Sequence, residues 1–313
     1  MCPKLSSQDA LREPAERMSA PQLAQLVELL LGVATTLIIV WIAAPGHRPW
    51  RIIIRSVWST IASRRRVLYL AACFSILVIN YLYLVLDIDR AATEFISGRC
   101  GGEDFTHLVH AVEGEAVARF HAAVHWLPLT YFLGYVYVVV FPCLVFVLIF
   151  VFDHLRSARG LALVLIGYVL NYLFVLPFYL CAPVREVFHY YRHDLGSRAV
   201  TMRLDEISPA IMEAYRSMSG LDNCFPSFHT SLAVTMALVS WHAGRRTFAA
   251  VVTFLAVSIV VSTVYLGVHW LIDVGAGLVV GVVAYVAARW LSRRWAAGVP
   301  KEAAPAGDAA LEA

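Results

Sequence analysis

Long apolar runs recur along this chain of 313 residues and limit the folds that it can adopt. A helix needs about 20 apolar residues to cross the hydrocarbon layer of a membrane. Apolar runs, of which the fifth is short, occupy residues 23–44, 67–86, 127–152, 161–180, 230–241, 248–265 and 270–290. Because 60% of the residues are hydrophobic and only 15% are charged, the sequence predicts an all-α fold, a polytopic membrane helix bundle with about seven spans.

The apolar runs belong to one membrane domain with a polar segment at each end. Residues 1–22 form an N-terminal tail, and residues 23–44 form an extra transmembrane span before a six-span domain at 67–291. Acidic residues in the N-terminal tail weaken the positive region that a signal peptide requires, so 23–44 is interpreted as a span. The Ala-rich segment 296–313 is expected to be a disordered tail.

Basic residues are concentrated in every second loop. The segment 45–66 contains six arginines and no acidic residue. Further arginines in such positions are Arg245, Arg246, Arg289, Arg293 and Arg294. The positive-inside rule places these loops in the cytoplasm, so the long loops 87–126 and 181–224 are predicted to face outward. The arginine triplet at 64–66 could also bind anionic lipid headgroups, which is compatible with the same topology.

This charge pattern also bears on location and partners. The alternation of basic and non-basic loops predicts a multi-pass protein of the cell membrane. The net charge is only +3, which gives no indication of a nucleic-acid partner.

Three cysteines, Cys100, Cys181 and Cys224, lie in segments that are predicted to face outward. Oxidation is permitted on that side of a cell membrane, so a disulfide between two of them is compatible with the topology. The sequence does not determine which two would pair.

Two further patterns predict architecture. Gly277 and Gly281 form a small-xxx-small step that suits close helix packing. The segment HLVHAVEGEAVARFHAAVHW, residues 107–126, is predicted to be an amphipathic helix that lies on the membrane and shapes substrate access. Its four histidines also have spacings that a metal site could use, which is the alternative interpretation of this segment.

The stretch CFPSFH, residues 224–229, stands where a polar loop gives way to the short apolar run. Pro226 and Ser227 suit the start of a helix, where a serine side chain caps free backbone N–H groups. Those N–H groups and the helix dipole form an anion site, and His229 follows within the first turn. A single histidine at a membrane interface is more often structural than catalytic, so this stretch alone does not define a function.

A second stretch, VSTVYLGVHWLIDVGAG at residues 261–277, places His269 and Asp273 four residues apart at the start of the last span. On a helix these two side chains lie on one face and can meet. An Asp that accepts a hydrogen bond from one ring nitrogen fixes the tautomer and leaves the other nitrogen as a nucleophile or base. The predicted topology brings both stretches to the outer face, so we expect an extracytoplasmic site that contains His229, His269 and Asp273.

These two stretches resemble two of the three signatures of the type 2 phosphatidic acid phosphatase superfamily. The signatures are Lys-x6-Arg-Pro, Pro-Ser-Gly-His and Ser-Arg-x5-His-x3-Asp. PSFH at 226–229 is similar to the second, and the series Ser262, Thr263, His269 and Asp273 keeps the spacing of the third. The resemblance covers residues 67–290 approximately and implies a six-helix core, which would be the six-span domain at 67–291.

The resemblance implies phosphoryl transfer that requires no metal ion and no other cofactor. His269 would attack phosphorus and form a phosphohistidine, Asp273 would orient His269, and His229 would protonate the leaving oxygen. The candidates for binding the substrate phosphate are Ser227, Phe228, Arg185, Ser262 and Thr263. Phosphoryl transfer depends mainly on positioning and charge stabilisation, which such a site can supply.

The chain departs from the family pattern at its cationic positions. The first signature is absent because the only lysines are Lys4 and Lys301. Thr263 replaces the arginine of the third signature, and Phe228 replaces the glycine of the second. Loss of these cations should weaken the binding of a phosphate dianion more than that of a phosphodiester monoanion.

CFPSFH and VSTVYLGVHW also resemble motifs of the inositol phosphorylceramide synthases, a branch of the superfamily. CAPVREVFHYY, residues 181–191, is loosely similar to an Ala-Pro-rich stretch of that branch. Arg185 is then the candidate for the missing positive charge, with Arg192 and Arg216 behind it. In the alternative interpretation these arginines are ordinary loop residues paired with Glu186, Asp194 or Glu213.

The sequence therefore predicts an integral membrane enzyme, a phosphotransferase or phosphatase that acts on a lipid phosphate or phospholipid. The departures favour transfer of a phospho-headgroup between lipids, and hydrolysis of a lipid phosphate or polyprenyl diphosphate is the alternative. A catalytically silent lipid-binding scaffold or scramblase is an alternative of another class, against which the intact His-His-Asp set argues. The sequence does not identify the lipid donor, the acceptor or the oligomeric state.

Overall fold

The structure, a computed structural model, describes residues 20–62, 104–218 and 222–297. These ranges are mainly helical and contain no β-strand, which confirms the predicted all-α fold. An isolated parallel bridge between Val184 and Asn223 joins two loop segments. The predicted span 67–86, most of the N-terminal tail, most of the C-terminal tail and Cys100 lie outside the described residues.

The helices of the described ranges are numbered here in chain order. The first six are α1 (Ala20–Ala43), α2 (Pro49–Ala62), α3 (Thr106–Glu113), α4 (Ala116–Ala123), α5 (Leu127–Tyr135) and α6 (Phe141–His154). The others are α7 (Ala158–Cys181), α8 (Val187–His193), α9 (Pro209–Met218), α10 (Phe228–Ser240), α11 (Arg246–Tyr265) and α12 (Leu271–Ala297). A π-helical segment, Val136–Val140, joins α5 to α6, and short 3-10 turns lie at Arg203–Glu206 and Trp241–Ala243.

Five helical stretches of the described ranges are long and apolar enough to cross a membrane. They are Leu26–Ala43, Leu127–His154, Ala158–Cys181, Arg246–Tyr265 and Leu271–Arg293. Each coincides with a run that the sequence predicts as a span. The remaining predicted run within these ranges forms α10, whose 13 residues extend over about 20 Å, less than the hydrocarbon thickness of about 30 Å. α10 alone is therefore too short to cross the membrane.

The short helix α10 packs against α6, α7, α11 and α12. Its buried face carries small polar side chains as well as apolar ones. Thr235 Oγ1 lies 2.9 Å from the carbonyl oxygen of Gly281 and accepts a hydrogen bond from Asn171 Nδ2 at 2.8 Å. Such hydrogen bonds between helices stabilise a bundle where lipid offers no competing partner.

Two glycines let α12 approach α10 closely. A Cβ atom at Gly277 would lie 2.7 Å from the carbonyl oxygen of Ser227, and one at Gly281 would lie 2.5 Å from that of Ser231. Neither position can therefore accept a larger side chain unless the helices move apart. The close packing that the small-xxx-small step predicts is confirmed.

Basic residues meet at one end of the bundle. The ring of His47, between α1 and α2, lies 4.9 Å from the ring of His154 at the end of α6. Burial lowers the pKa of His242, which follows α10, and three nearby arginines lower it further: Arg159, Arg289 and Arg293. Loops α1–α2, α6–α7 and α10–α11 therefore share one end of the bundle with the last turns of α12.

The opposite end carries a cap, which we define as residues 104–126 and 182–226. The apolar core of its described part includes Val187, Tyr190 and Leu204, which pack together with Trp270 from the turn before α12. The amphipathic helix predicted at 107–126 is instead two short helices, α3 and α4. Gly114 between them has φ of +61°, a conformation that glycine adopts without steric cost and that interrupts the helix.

The four histidines of the α3–α4 segment have separate partners among the described residues and do not converge on a metal site. The contacts are His107 with Tyr190, His110 with Glu115, His121 with the Val264 carbonyl and His125 with Glu206. The contacts of His107 and His125 attach the segment to the rest of the cap, and that of His121 attaches it to α11.

We expect Gly281→Val to lower the thermal stability of the protein in detergent. The added side chain would meet a backbone oxygen across the α10–α12 interface, and overpacking of this kind costs about 1–3 kcal/mol. Gly275→Ala is the matched control, because a Cβ at Gly275 has no atom within 4 Å. Equal melting temperatures for the two variants would contradict the close packing of α10 and α12.

Candidate active site

The turn between α11 and α12 fixes the position of His269. The carbonyl oxygen of Thr263 accepts hydrogen bonds from the amides of Val268 at 3.1 Å and His269 at 3.0 Å. Gly267 has φ of +83° in this turn, and a Cβ there would lie 2.7 Å from the carbonyl oxygen of Thr201. A glycine is therefore needed for both the backbone conformation and the contact with the cap.

His269 and Asp273 make the contact that their spacing predicts. Asp273 Oδ2 lies 3.4 Å from His269 Nδ1 and accepts a hydrogen bond from the Trp270 amide at 2.9 Å. Both side chains are buried, with exposed fractions of 4% for His269 and 0% for Asp273. Because Nδ1 faces the carboxylate, Nε2 is the nitrogen available to attack a substrate.

Cys224 is a third member of this cluster, and the sequence analysis considered it only as a disulfide candidate. Its Sγ donates to Asp273 Oδ2 at 2.9 Å and lies 3.1 Å from His269 Nδ1. Burial raises the pKa of the thiol well above its ordinary value, which keeps it protonated and able to donate. No disulfide joins Cys181 to Cys224 in this structure.

His229 lies across from His269, and the centres of the two rings are 6.0 Å apart. Its ring stacks on Tyr137 at 4.4 Å and packs against Phe141 at 4.3 Å. Tyr137 lies in the π-helical segment, and Phe141 is the residue that follows it. Such π-helical turns are frequent at functional sites. The packing of His229 on these two rings was not predicted from the sequence, because Tyr137 and Phe141 stand in an apolar run without a distinguishing pattern.

Ser227 caps α10 as predicted and also links α10 to α12. Its Oγ accepts a hydrogen bond from the Thr230 amide at 3.3 Å, and its own amide donates to the Asp273 carbonyl at 3.1 Å. The ring of Phe228 points into the bundle, where its neighbours are Phe141, Tyr168 and Tyr172. Any contact of Phe228 with a phosphate would therefore come from its backbone.

The side chains of Ser262 and Thr263 bond to their own helix. Ser262 Oγ donates to the Ile259 carbonyl and Thr263 Oγ1 donates to the Val260 carbonyl, each at 2.7 Å. Both residues are fully buried. In this structure Thr263 contributes to the site through its carbonyl oxygen, which holds the turn that carries His269.

Arg185 lies in the cap with two carboxylate partners. Its Nε donates to Asp104 at 2.7 Å, and its Nη1 donates to Asp194 at 2.8 and 2.6 Å. Asp194 is one of the loop partners named in the alternative interpretation. The Arg185 carbonyl accepts from Trp270 Nε1 at 3.0 Å, so this residue also supports the turn beside His269.

The other two candidate arginines lie at the surface of the cap. Arg192 is exposed. Arg216 lies 3.7 Å from Asp205, and the side chains of both are more than two-fifths exposed. Neither makes a described contact with the histidine cluster.

Arg203 is a buried arginine that contacts the turn carrying His269, and no pattern in the sequence indicated this contact. Arg203 is only 3% exposed, its Nη2 donates to the His121 carbonyl at 2.8 Å, and its guanidinium lies 4.2 Å from the centre of the Tyr265 ring. Its amide also donates to the Leu266 carbonyl at 3.2 Å. Arg203 therefore joins α4, the cap loop and the end of α11.

Glu113, at the end of α3, caps the start of α12. Its Oε2 accepts a hydrogen bond from the Ile272 amide at 3.0 Å. A carboxylate at this position interacts favourably with the N-terminal end of the helix dipole. Burial raises the pKa of Glu113, and the backbone hydrogen bonds from Ile272 and Leu271 oppose that increase.

Cys224, His269 and Asp273 also satisfy the proximity that a metal ion would require. One donor atom from each lies within 4.8 Å of the others, and all three residues are buried. The sequence resemblance implies chemistry without a metal, and that remains a prediction.

Comparison with known proteins gives a match over the part of the chain that contains this cluster. Residues 184–296, about a third of the chain, match the PAP2 superfamily. The Escherichia coli (strain K12) protein named "Putative undecaprenyl-diphosphatase YbjG" is 40% identical over 70 residues, which is 22% of this chain and 34% of that protein. The chain thus matches about a third of the length of that relative, and no solved structure gives a significant match.

We expect acid to lower the folding stability of the protein, because His121, which helps to support the His269 turn, is buried. The pKa of His121 is lowered to about 4, chiefly by burial and further by Arg203. The unfolded chain takes up this proton below the ordinary pKa of about 6.5. Stability is therefore complete above pH 6.5 and is lost as the pH falls towards 4, by at most about 1.4 kcal/mol per pH unit.

The measurement is the melting temperature between pH 7 and pH 4 for the wild type, His121→Gln and His125→Gln. His125 is exposed and serves as the control. Wild type and His125→Gln should lose stability in parallel, whereas the loss should be smaller in His121→Gln. An identical pH dependence in all three proteins would show that His121 is not the titrating group.

Proposed function

We propose that this protein is an integral membrane enzyme that transfers the phosphoryl group of a phosphorylated lipid through a phosphohistidine on His269. The observation that carries the proposal is the buried contact between His269 Nδ1 and Asp273, with the centre of the His229 ring 6.0 Å from that of His269. The match of residues 184–296 to the PAP2 superfamily and the five apolar helices support the same class of reaction in a membrane.

In the proposed first step, the lone pair of His269 Nε2 attacks phosphorus and the bond from phosphorus to the leaving oxygen breaks. Asp273 stabilises the positive charge that develops on the imidazole ring. His229 gives its proton to the leaving oxygen, a role that a positioned histidine can fill. The stack on Tyr137 and Phe141 would hold the His229 ring in the orientation that this transfer needs.

In the second step, His229 takes a proton from the acceptor hydroxyl. The acceptor oxygen then attacks phosphorus, and the bond between phosphorus and Nε2 breaks, which restores His269. The two histidines have different surroundings, since one is paired with a carboxylate and the other lies between aromatic rings. Such a difference is how similar groups come to act as nucleophile and as acid or base.

The phosphate oxygens would be held at the N-terminal end of α10. Helix N-termini bind anions through backbone N–H groups and the helix dipole, and we assign this role to the first turn that Ser227 caps. Ser262 and Thr263 would act by shaping the turn behind His269. The Arg185 guanidinium would be a further phosphate ligand only after it leaves Asp104 and Asp194, which hold it in the cap.

Water is the first candidate acceptor, which would make the protein a lipid phosphatase. The similarity to a protein named as an undecaprenyl-diphosphatase supports a lipid diphosphate or lipid phosphate as substrate. Hydrolysis requires only that a water molecule can reach the phosphohistidine beside His229.

A lipid hydroxyl is the second candidate acceptor, which would make the protein a headgroup transferase. Thr263 and Phe228 replace the arginine and glycine of the family signatures, and the Thr263 hydroxyl bonds to its own helix. The Arg185 guanidinium is shared by two carboxylates. Such a shortage of unpaired positive charge among the described residues of the site favours a phosphodiester monoanion over a phosphate dianion.

The test is product analysis by mass spectrometry with purified full-length protein and a lipid panel. The panel contains phosphatidate, a polyprenyl diphosphate, and phosphatidylinositol together with ceramide or diacylglycerol. We expect His269→Ala to reduce turnover to background and His229→Ala to reduce it by about 10²–10⁴-fold. His125→Ala is the control, because His125 is exposed and lies outside the cluster.

The products separate the two candidates. Release of free phosphate would identify a phosphatase, whereas a new lipid that carries the headgroup, without free phosphate, would identify a transferase. Full turnover in His269→Ala would refute the phosphohistidine mechanism. Absence of both products from the wild type, with every lipid of the panel, would favour the lipid-binding scaffold.

We further propose that the cap and the histidine cluster face the outside of the cell. The support is that arginines gather at the opposite end of the bundle, which the positive-inside rule assigns to the cytoplasm. Ala199, in the cap, and Ala158, at the start of α7, are exposed alanines at the two ends.

An impermeant maleimide applied to intact cells should label Ala199→Cys and not Ala158→Cys, above the baseline of the wild-type cysteines. After the cells are opened, both variants should be labelled. The reverse pattern in intact cells would place the histidine cluster on the cytoplasmic side.

A further inference from the structure

We propose that Cys224, His269 and Asp273 form a binding site for a soft divalent cation of the zinc class, and that occupancy of this site inactivates the nucleophile. The binding itself depends only on the geometry of these three side chains. The inhibition rests on the proposed function, in which His269 Nε2 attacks phosphorus.

The distances within the cluster are close to those of a zinc site. The three donor atoms are 2.9 Å apart for Sγ and Oδ2, 3.1 Å for Sγ and Nδ1, and 3.4 Å for Nδ1 and Oδ2. Tetrahedral zinc with bonds of about 2.0–2.3 Å requires donor atoms about 3.3–3.7 Å apart. Outward shifts of a few tenths of an ångström would therefore be enough to seat an ion.

The donor types also suit such a cation. Thiolate, imidazole and carboxylate are the three side-chain ligands that zinc takes most often, and thiolate favours zinc or cadmium over magnesium or calcium. Asp273 is fully buried, and its second oxygen, Oδ1, has no hydrogen-bond partner among the described residues. This oxygen offers an additional ligand that the metal-free protein leaves unused.

Binding would switch off His269 through its tautomer. In the metal-free site Nδ1 holds the proton that faces Asp273, and the lone pair is on Nε2. A cation that binds Nδ1 requires the lone pair there, so the ring proton moves to Nε2. The thiol of Cys224 loses its proton to solvent when Sγ binds the cation. Each binding event therefore releases one proton, and Nε2 becomes an N–H group that cannot attack phosphorus.

A purely structural role for Cys224 makes a different prediction. If the thiol only orients Asp273 by hydrogen bonding, cadmium or zinc has no specific place in the site, and replacement of the sulfur by oxygen should not alter the response to metals. The hydroxyl of Cys224→Ser keeps a donor to Asp273 but lacks the soft sulfur ligand.

The first measurement is a cadmium titration of the purified full chain in lipid nanodiscs, followed through the ultraviolet charge-transfer band of cadmium–thiolate bonds. Cys181→Ser is the matched control, because Cys181 is another cysteine of the segments that are predicted to face outward and is not part of the cluster. We expect wild type and Cys181→Ser to show a saturable band equivalent to one tight site, and Cys224→Ser to lack it. Asp273→Asn should weaken cadmium binding by at least 10-fold, which tests the site without altering the cysteine.

The second measurement is zinc inhibition of turnover, with each variant normalised to its own metal-free rate. Zinc should inhibit wild type and Cys181→Ser, a chelator should restore the rate, and Cys224→Ser should need at least 10-fold more zinc. Equal cadmium binding in wild type and Cys224→Ser, or equal zinc inhibition, would overturn the proposal.

The two measurements separate this proposal from the proposed function. A cadmium site that requires Cys224 and Asp273 in a protein without turnover would leave the metal site intact and remove the phosphoryl-transfer assignment. Turnover that depends on His269 but is insensitive to zinc would support the phosphoryl-transfer assignment and overturn the proposed inhibition by metal.

Discussion

The hydrogen bond from the Ser227 amide to the Asp273 carbonyl, 3.1 Å long, is the contact on which the candidate site depends. It joins the first turn of α10 to the first turn of α12, although the two residues are far apart in sequence. The bond can form because Gly277 and Gly281 let the two helix backbones approach each other. Without this approach, no contact between α10 and α12 would fix the distance between His229, on α10, and His269, in the turn before α12.

The cap makes the second contribution to this geometry. Arg203, Arg185 and Glu113 each reach from a cap segment to the α11–α12 turn or to the first amides of α12. They act on the backbone around His269 or, for Arg185, on the adjacent Trp270 ring. The membrane helices thus bring the two histidines together, and the cap restrains the turn on which one of them lies.

The sequence was sufficient to predict the all-α fold, the apolar helices of the described ranges and the contact between His269 and Asp273. These features follow from hydrophobic run length and from helical spacing, which are local properties. Cys224 was considered only for disulfide formation, because its approach to His269 and Asp273 depends on the packing of α10 against α12. Tyr137 and Phe141 were missed for a similar reason, since a π-helical segment in an apolar run leaves no clear sequence pattern.

The position of Tyr137 along its helix has a consequence for how a lipid would reach the histidines. Tyr137 lies ten residues into the continuous helix that begins at Leu127, which corresponds to about 15 Å along the helix axis. The His229 ring that stacks on it therefore lies well below the level at which that helix begins. In the proposed reaction, a phosphate would therefore have to leave the headgroup layer and descend beside α5 to meet the two histidines.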